Sequence, residues 1–173
     1  QGNNKTTEEL QMALDYKVGR IVVDNIYELK QLNQMAGAQH VTANILFRIK
    51  PGVDAHTHNF IRTGQIDSKF GFALETGEAF EAVKTALQCE HLHLSGLHCH
   101  IGSQILDTEG FVAAAEIMMQ FYAKIKNELG VELHDLNLGG GFGIQYTEQD
   151  DPLPYEAYME AVAKVINRCR QEL

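Results

Sequence analysis

The stretch LHDLNLGGGFG, residues 133–143, joins an alternating apolar and polar run to four glycines within five positions. Alternation with a period of two predicts a β-strand over residues 133–138. Glycines directly after a strand let backbone N–H groups crowd around an anion, whereas a tight turn would need only one or two of them. The stretch therefore predicts a strand that ends in a phosphate-binding loop. Its spacing matches neither the P-loop nor the GxGxxG fingerprint.

Further strands and helices are predicted on both sides of this stretch. Three more strands are expected over residues 20–24, 41–49 and 92–100. The clearest helix covers residues 111–129 and is followed by Gly130, where a glycine cap belongs. Four β-then-α units in succession predict an α/β protein with a parallel sheet. A closed (β/α)8 barrel needs eight such units and roughly 250 residues, which leaves either half a barrel or a small open sheet.

The composition is that of an ordinary globular domain. The chain has 173 residues, 45% of them hydrophobic, and a formal net charge of −9. A negative surface repels nucleic acid and anionic lipid, and no apolar run approaches the roughly 18 residues of a membrane span, so we expect neither partner. The three cysteines are odd in number and lack CxxC spacing. We therefore expect no disulfide framework, no structural zinc and a cytoplasmic location.

A second candidate site is GLHCHIGSQ, residues 96–104, at the end of the third predicted strand. His98 and His100 are two positions apart, so they are predicted to share a face of the strand. An imidazole there can stack on an aromatic cofactor or bind a metal, and Ser103 can donate to a phosphate. A structural histidine held by hydrogen bonds remains the alternative interpretation.

The segment DAHTH, residues 54–58, raises the possibility of a metal-dependent amidohydrolase, because two histidines separated by one residue can ligate zinc. However, the pair lies beyond Pro51 and Gly52, outside the predicted strand. Metal ligands are usually held on rigid elements. We therefore expect no metal here and interpret the segment as a loop over a site.

Four motifs occur in an order that resembles that of diaminopimelate decarboxylases: GNNK (2–5), SKFG (68–71), GLHCHIGSQ (96–104) and LGGGFG (138–143). These enzymes belong to the alanine-racemase-like, ornithine-decarboxylase-like group of pyridoxal phosphate (PLP) barrels. The resemblance covers essentially the whole chain and implies a TIM-type barrel. Residues 1–173 would form a single partial PLP-binding domain, with the N-terminal barrel units and a C-terminal β domain outside it. One departure is Gln1, where the family usually has histidine.

The resemblance also implies a cofactor site for pyridoxal 5′-phosphate. His100 would stack on the pyridine ring, and Ser103 would contact the phosphate. The backbone of Gly139, Gly140 and Gly141 would hold that phosphate, Gly141 most directly.

Arg48 would lie near the phenolic side of the cofactor, and residues 53–67 would form the flexible loop that closes over substrate. PLP catalysis also needs a Schiff-base lysine and an acid at the pyridine nitrogen. By the resemblance both come from other segments, so we expect no catalytic residue here and no activity from this segment alone. Among Lys5, Lys50 and Lys69, Lys50 has the best position, but a solvated lysine is the expectation.

For the complete protein, the resemblance implies decarboxylation of meso-diaminopimelate to L-lysine and CO2 by a homodimer with a small amino-acid substrate. A sibling decarboxylase of ornithine, arginine or carboxynorspermidine is the nearest alternative. A non-catalytic PLP-binding barrel is the alternative from another class. The metal-dependent amidohydrolase is the least favoured.

Overall fold

The computed structural model describes residues 2–53 and 69–173. In chain order the elements are α1 (Thr7–Asp15), β1 (Ile21–Val23), α2 (Ile26–Ala38), β2 (Ala43–Lys50), β3 (Phe72–Ala73), α3 (Glu78–Leu87), β4 (Leu92–His98), α4 (Glu109–Leu129), β5 (Asp135–Asn137) and α5 (Tyr155–Glu172). They fall into two compact units. The described residues of the first unit are 2–50, 69–98 and 133–137, and those of the second are 51–53, 99–132 and 138–173.

The first unit contains a parallel sheet in the order β1-β2-β4-β5, and the short β3 pairs with the end of β2. The four predicted strands and their parallel direction are confirmed, whereas β3 was not predicted. In register, Arg48 lies opposite His98, and His98 lies opposite Asn137. The sheet thus places three polar residues side by side at the carboxyl ends of neighbouring strands.

Strand β2 lies inside the sheet, between β1 and β4, and is buried on both faces. Ile45, Phe47 and Ile49 are buried on one face of β2, and Leu46 is buried on the other. Burial on both faces is characteristic of parallel strands, which are covered by the helices that connect them. At the start of the unit, Thr6 and Glu9 form a capping box at the N-terminus of α1.

The second unit is built on α4 and α5 and on the loops that precede them. Its core consists of Ile105, Phe111, Ala115, Tyr158, Val162, Val165 and Cys169. The predicted helix over residues 111–129 is confirmed, and Gly130 ends it at φ +67°. Helix α5 contributes Tyr158, Val162, Val165 and Cys169 to this core, whereas Tyr155 is exposed.

Candidate cofactor site

Arg48, near the end of β2 in the first unit, lies beside a carboxylate and an aromatic ring. Its Nη1 atom lies 3.8 Å from Oδ1 of Asp24, which follows β1. Its guanidinium carbon lies 4.8 Å from the centre of the Phe70 ring. The next residue, Gly71, has φ +80°, and a Cβ there would lie 2.5 Å from the carbonyl oxygen of Arg48. Residues 70–71 of the SKFG motif therefore pack directly on the end of β2.

Asp24 is a buried acid whose negative charge faces Arg48. Burial raises the pKa of its carboxyl group, while the positive charges of Arg48 and then Lys5 oppose that rise. Among the described residues, its Oδ1 atom has no hydrogen-bond partner. A buried acceptor of this kind favours a guanidinium held nearby, because an unsatisfied polar atom is costly in the interior.

His98 is a structural residue. It is fully buried, and its Nδ1 atom lies 3.1 Å from Oδ1 of Asn137. An amide oxygen only accepts, so a hydrogen bond between these two atoms requires a proton on Nδ1. The prediction that His98 and His100 share a strand face is wrong. The pairing of β4 with both β2 and β5 ends at His98, and the chain leaves the strand before His100.

Lys5, one of the three lysines considered above, is held in a buried ion pair. Its Nζ atom lies 2.9 Å from Oε1 of Glu28 and donates to the carbonyl oxygen of Gly2 at 2.6 Å. Burial raises the pKa of the Glu28 carboxyl group, although the hydrogen bond and charge of Lys5 oppose that rise. Lys5 therefore links the segment before α1 to the first turn of α2.

In the second unit, two loops follow the sheet strands in sequence and are hydrogen-bonded to each other. We call residues 99–105 the histidine loop and residues 139–143 the glycine loop. The Ile105 N–H donates to the Gly141 carbonyl at 3.0 Å, and the Gly143 N–H donates to the Ile105 carbonyl at 2.8 Å. Ile105 and Phe142 form an isolated parallel β-bridge that joins the two loops.

Two positions of the glycine loop admit only glycine. Gly139 has φ +79°, and a Cβ there would lie 2.7 Å from the Cys99 carbonyl oxygen and 2.9 Å from Nδ1 of His100. Gly141 has φ +96°, and a Cβ there would collide with the Gly102 carbonyl oxygen. Both the backbone conformation and the close approach of the histidine loop exclude a side chain.

Gly140, which lies between these two glycines, is not crowded by the described residues. A Cβ on Gly140 would meet nothing within 4 Å. At Gly140 the loop therefore borders open space with backbone rather than a side chain, and backbone N–H groups in such a position can bind an anion. The second unit thus brings together His100, Ser103 and the three glycines predicted to hold the cofactor, and this geometry fits the phosphate of PLP. Arg48 belongs to the first unit.

Two predictions fall wholly or partly outside the described residues. The HxH pair within residues 54–58 lies outside them, and so does most of the loop predicted over residues 53–67. Within residues 2–53 and 69–173, no cluster of three or more histidine, cysteine, aspartate or glutamate side chains is arranged to hold a metal ion. None of the helices described is both long and apolar enough to cross a membrane.

Sequence reasoning missed several contacts that shape the site. The Tyr158 hydroxyl donates to the Ile105 carbonyl at 2.8 Å, and the side-chain amide of Gln104 bonds to the backbone of Ile144. Phe70 was quoted only as part of a motif, although its ring faces Arg48. These contacts join residues that are far apart in sequence, so no local pattern signals them.

Parallel strands that alternate with helices define the α/β class of proteins, in which ligands bind beyond the carboxyl ends of the strands. Residues 1–172 match the family described as "Pyridoxal-dependent decarboxylase, pyridoxal binding domain". The chain therefore belongs to this family, and the predicted fold class, part of a (β/α)8 barrel, is confirmed.

The chain is also similar to particular members of the family. It is 48% identical to the diaminopimelate decarboxylase of Bacillus methanolicus over 99% of this chain and 39% of the relative. The crystal structure of diaminopimelate decarboxylase from M. jannaschii in complex with L-lysine superposes with a TM-score of 0.90 at 37% identity, covering 99% of this chain and 39% of that one. The lysine decarboxylase of Selenomonas ruminantium gives a TM-score of 0.75 at 31% identity, covering 95% and 39%. The chain thus spans about two fifths of the length of these relatives.

Proposed function

We propose that this chain is the PLP-binding part of a decarboxylase that converts meso-diaminopimelate to L-lysine and CO2. The observation that carries the proposal is the glycine loop, where two positions exclude any Cβ and the third borders open space. The 48% identity to a diaminopimelate decarboxylase supports the choice of substrate.

Each predicted site residue has a role in this proposal. The backbone of Gly139, Gly140 and Gly141 holds the cofactor phosphate, and Ser103 donates a hydrogen bond to it. His100, which is exposed beside Gly139, stacks on the pyridine ring. When bound, PLP supplies the electron sink that accepts the electron pair left behind as CO2 departs.

Arg48 is proposed to lie on the phenolic side of the cofactor. Its guanidinium is restrained by the charge of Asp24 and by the ring of Phe70. A guanidinium keeps its positive charge at all relevant pH values, so it can neutralise a phenolate without a change in its own protonation. The Schiff-base lysine and the acid at the pyridine nitrogen are proposed to come from other segments of the complete protein.

The complete protein is further proposed to be a cytoplasmic homodimer. Residues 1–173 would form one part of its barrel domain, and the remaining barrel units and a β domain would come from the rest of the protein. Light scattering of the purified complete protein tests the dimer, because a monomer at micromolar concentration would contradict it.

Turnover by the complete protein tests the proposed activity. With PLP added, we expect CO2 and L-lysine in equal amounts from meso-diaminopimelate, and little or no CO2 from ornithine, arginine or lysine. The substrate panel also tests the alternatives. PLP binding without release of CO2 from any of these amino acids would indicate a non-catalytic PLP-binding protein.

A second candidate is a decarboxylase of another basic amino acid. It is favoured by the similarity to the lysine decarboxylase of Selenomonas ruminantium, which has a TM-score of 0.75. Faster release of CO2 from lysine, ornithine or arginine than from meso-diaminopimelate would support this candidate and contradict the leading proposal.

A further inference from the structure

Gln104, at the end of the histidine loop, makes a pair of hydrogen bonds that the function proposed above does not use. Its Nε2 atom donates to the carbonyl oxygen of Ile144 at 2.5 Å, and its Oε1 atom accepts from the Ile144 N–H at 3.2 Å. The backbone of Ile144 offers one donor and one acceptor, so these two bonds together define the orientation of the amide. The side-chain amide thus makes the pair of hydrogen bonds with Ile144 that backbone groups of a neighbouring strand would make.

These two bonds extend the hydrogen bonding between the histidine loop and the glycine loop. Ile105 bonds through its N–H and its carbonyl to Gly141 and Gly143, and Gln104 adds the next bonds at Ile144. The Ile144 side chain is 44% exposed, so packing of that side chain does little to hold this end of the loop. The Gln104 amide therefore restrains the point at which the chain leaves the glycine loop.

The backbone of Gln104 supports a role beyond packing. Its φ of +55° lies in the left-handed region, which a glutamine rarely occupies and which glycine would occupy without strain. Strain of this kind persists where the surrounding structure determines the conformation, and it is often found at functional sites. Ser103 directly precedes Gln104, so the same turn also sets the direction in which the chain passes Ser103.

We infer that Gln104 is a positioning residue that holds the glycine loop and Ser103 in the arrangement needed to bind the cofactor phosphate. This inference rests on the proposed PLP site and deepens it. The amide does not need to touch the cofactor, because it acts through the backbone of the loop. Its loss should therefore weaken the binding of the phosphate group specifically.

The test compares two ligands that differ only in that phosphate. Apo forms of the complete protein are titrated with PLP and with pyridoxal, and the Kd of each is measured by fluorescence. Gln104→Ala removes the amide and keeps the strained backbone, whereas Gln104→Gly removes the amide and relieves the strain. Gln120→Ala is the matched control, because Gln120 is an exposed residue on α4.

We expect both Gln104 variants to raise the Kd for PLP about tenfold, the effect of losing one or two hydrogen bonds. The Kd for pyridoxal should change by less than about twofold. Hydrogen exchange of the Ile144 amide should become faster in both variants, and the Gln120→Ala protein should match the wild type in every measurement. Gln104→Gly keeps the test decisive if Gln104→Ala does not fold, because glycine accepts the left-handed backbone.

Two results would overturn the inference while leaving the proposed function intact. One is an equal loss of affinity for PLP and pyridoxal, which would indicate a general structural role. The other is a Gln104→Gly protein that binds PLP as tightly as the wild type. A wild-type protein that binds PLP no better than pyridoxal would instead overturn the phosphate site itself, and the inference with it.

Discussion

The two units of the molecule differ in the atoms that form their polar features, which are side chains in the first unit and mainly backbone in the glycine loop of the second. In the first unit, polar and charged side chains pair with one another, as His98 does with Asn137 and Lys5 with Glu28. In the second unit, close backbone approach shapes the glycine loop and leaves no room for a side chain at Gly141. A side chain added where backbone segments meet closely, as at Gly141, must displace backbone, whereas one added at Gly140 meets open space.

The largest effect is expected from Gly141→Ala in the glycine loop. The new Cβ would collide with the Gly102 carbonyl oxygen, and alanine is strained at φ +96°. We expect the free energy of unfolding to fall by about 2–4 kcal/mol and the Kd for PLP to rise at least about tenfold. Chemical denaturation and cofactor titration of the complete protein measure the two effects.

Gly140→Ala is the matched control for stability, because its Cβ would meet nothing within 4 Å. We expect its free energy of unfolding to stay within about 0.5 kcal/mol of the wild type. Equal destabilisation by both alanines would contradict the claim that close backbone approach makes Gly141 necessary.

In the first unit, Glu28→Gln should have the next largest effect. The substitution leaves the charge of Lys5, whose side chain is only 13% exposed, without its partner. We expect destabilisation by about 2 kcal/mol, less than for a fully buried pair because Lys5 can turn toward water. Urea denaturation at pH 7 measures it. The double variant Lys5→Met/Glu28→Gln should recover part of the loss, and a larger loss in the double variant would contradict an ion-pair origin.

A smaller effect is expected from Tyr158→Phe beneath the histidine loop. The buried hydroxyl donates to the Ile105 carbonyl at 2.8 Å. That carbonyl keeps its bond from Gly143, so we expect a loss of about 1 kcal/mol. Thermal unfolding of the complete protein gives the measurement. Tyr155→Phe, at a 58% exposed position of the same helix, should leave stability unchanged, and an equal loss there would count against the hydrogen bond.

The smallest effect is expected from Asp135→Asn, which weakens an exposed ion pair on β5. Arg20 donates to both carboxylate oxygens of Asp135, at 2.6 and 2.8 Å, and this hydrogen bonding lowers the pKa of Asp135 below 3.8. A lowered pKa means that the stabilisation is present above the unfolded-state pKa and is lost as the pH falls through the folded-state value.

We therefore expect Asp135→Asn to reduce the free energy of unfolding by about 0.5–1 kcal/mol at pH 7. The difference from the wild type should shrink as the pH falls below 3.8. Urea titrations at pH 7, 5 and 3.5 follow this trend. A difference that grows toward low pH would have the wrong sign for this pair.

Patterns in the sequence predicted the strands, the long helix α4 and the glycine loop, because periodicity and glycine content depend on local residues. They misplaced the end of β4, which depends on pairing with β2 and β5, and both ladders stop at His98. They also missed β3, whose two residues are too few to show a period. The roles of Arg48, His100 and Ser103 in binding a cofactor stay predictions.

The amino-acid sequence alone was enough to predict parallel β/α units and a loop at residues 139–143 that suits a phosphate, since both follow from residue type and spacing. Only the tertiary structure showed that His98 is bound to Asn137 while His100 leaves the strand. It also showed that Gln104 holds Ile144, forty residues further along the chain. The reason is physical: side-chain partners are chosen by the packing of distant segments, and no local pattern records which segments will meet.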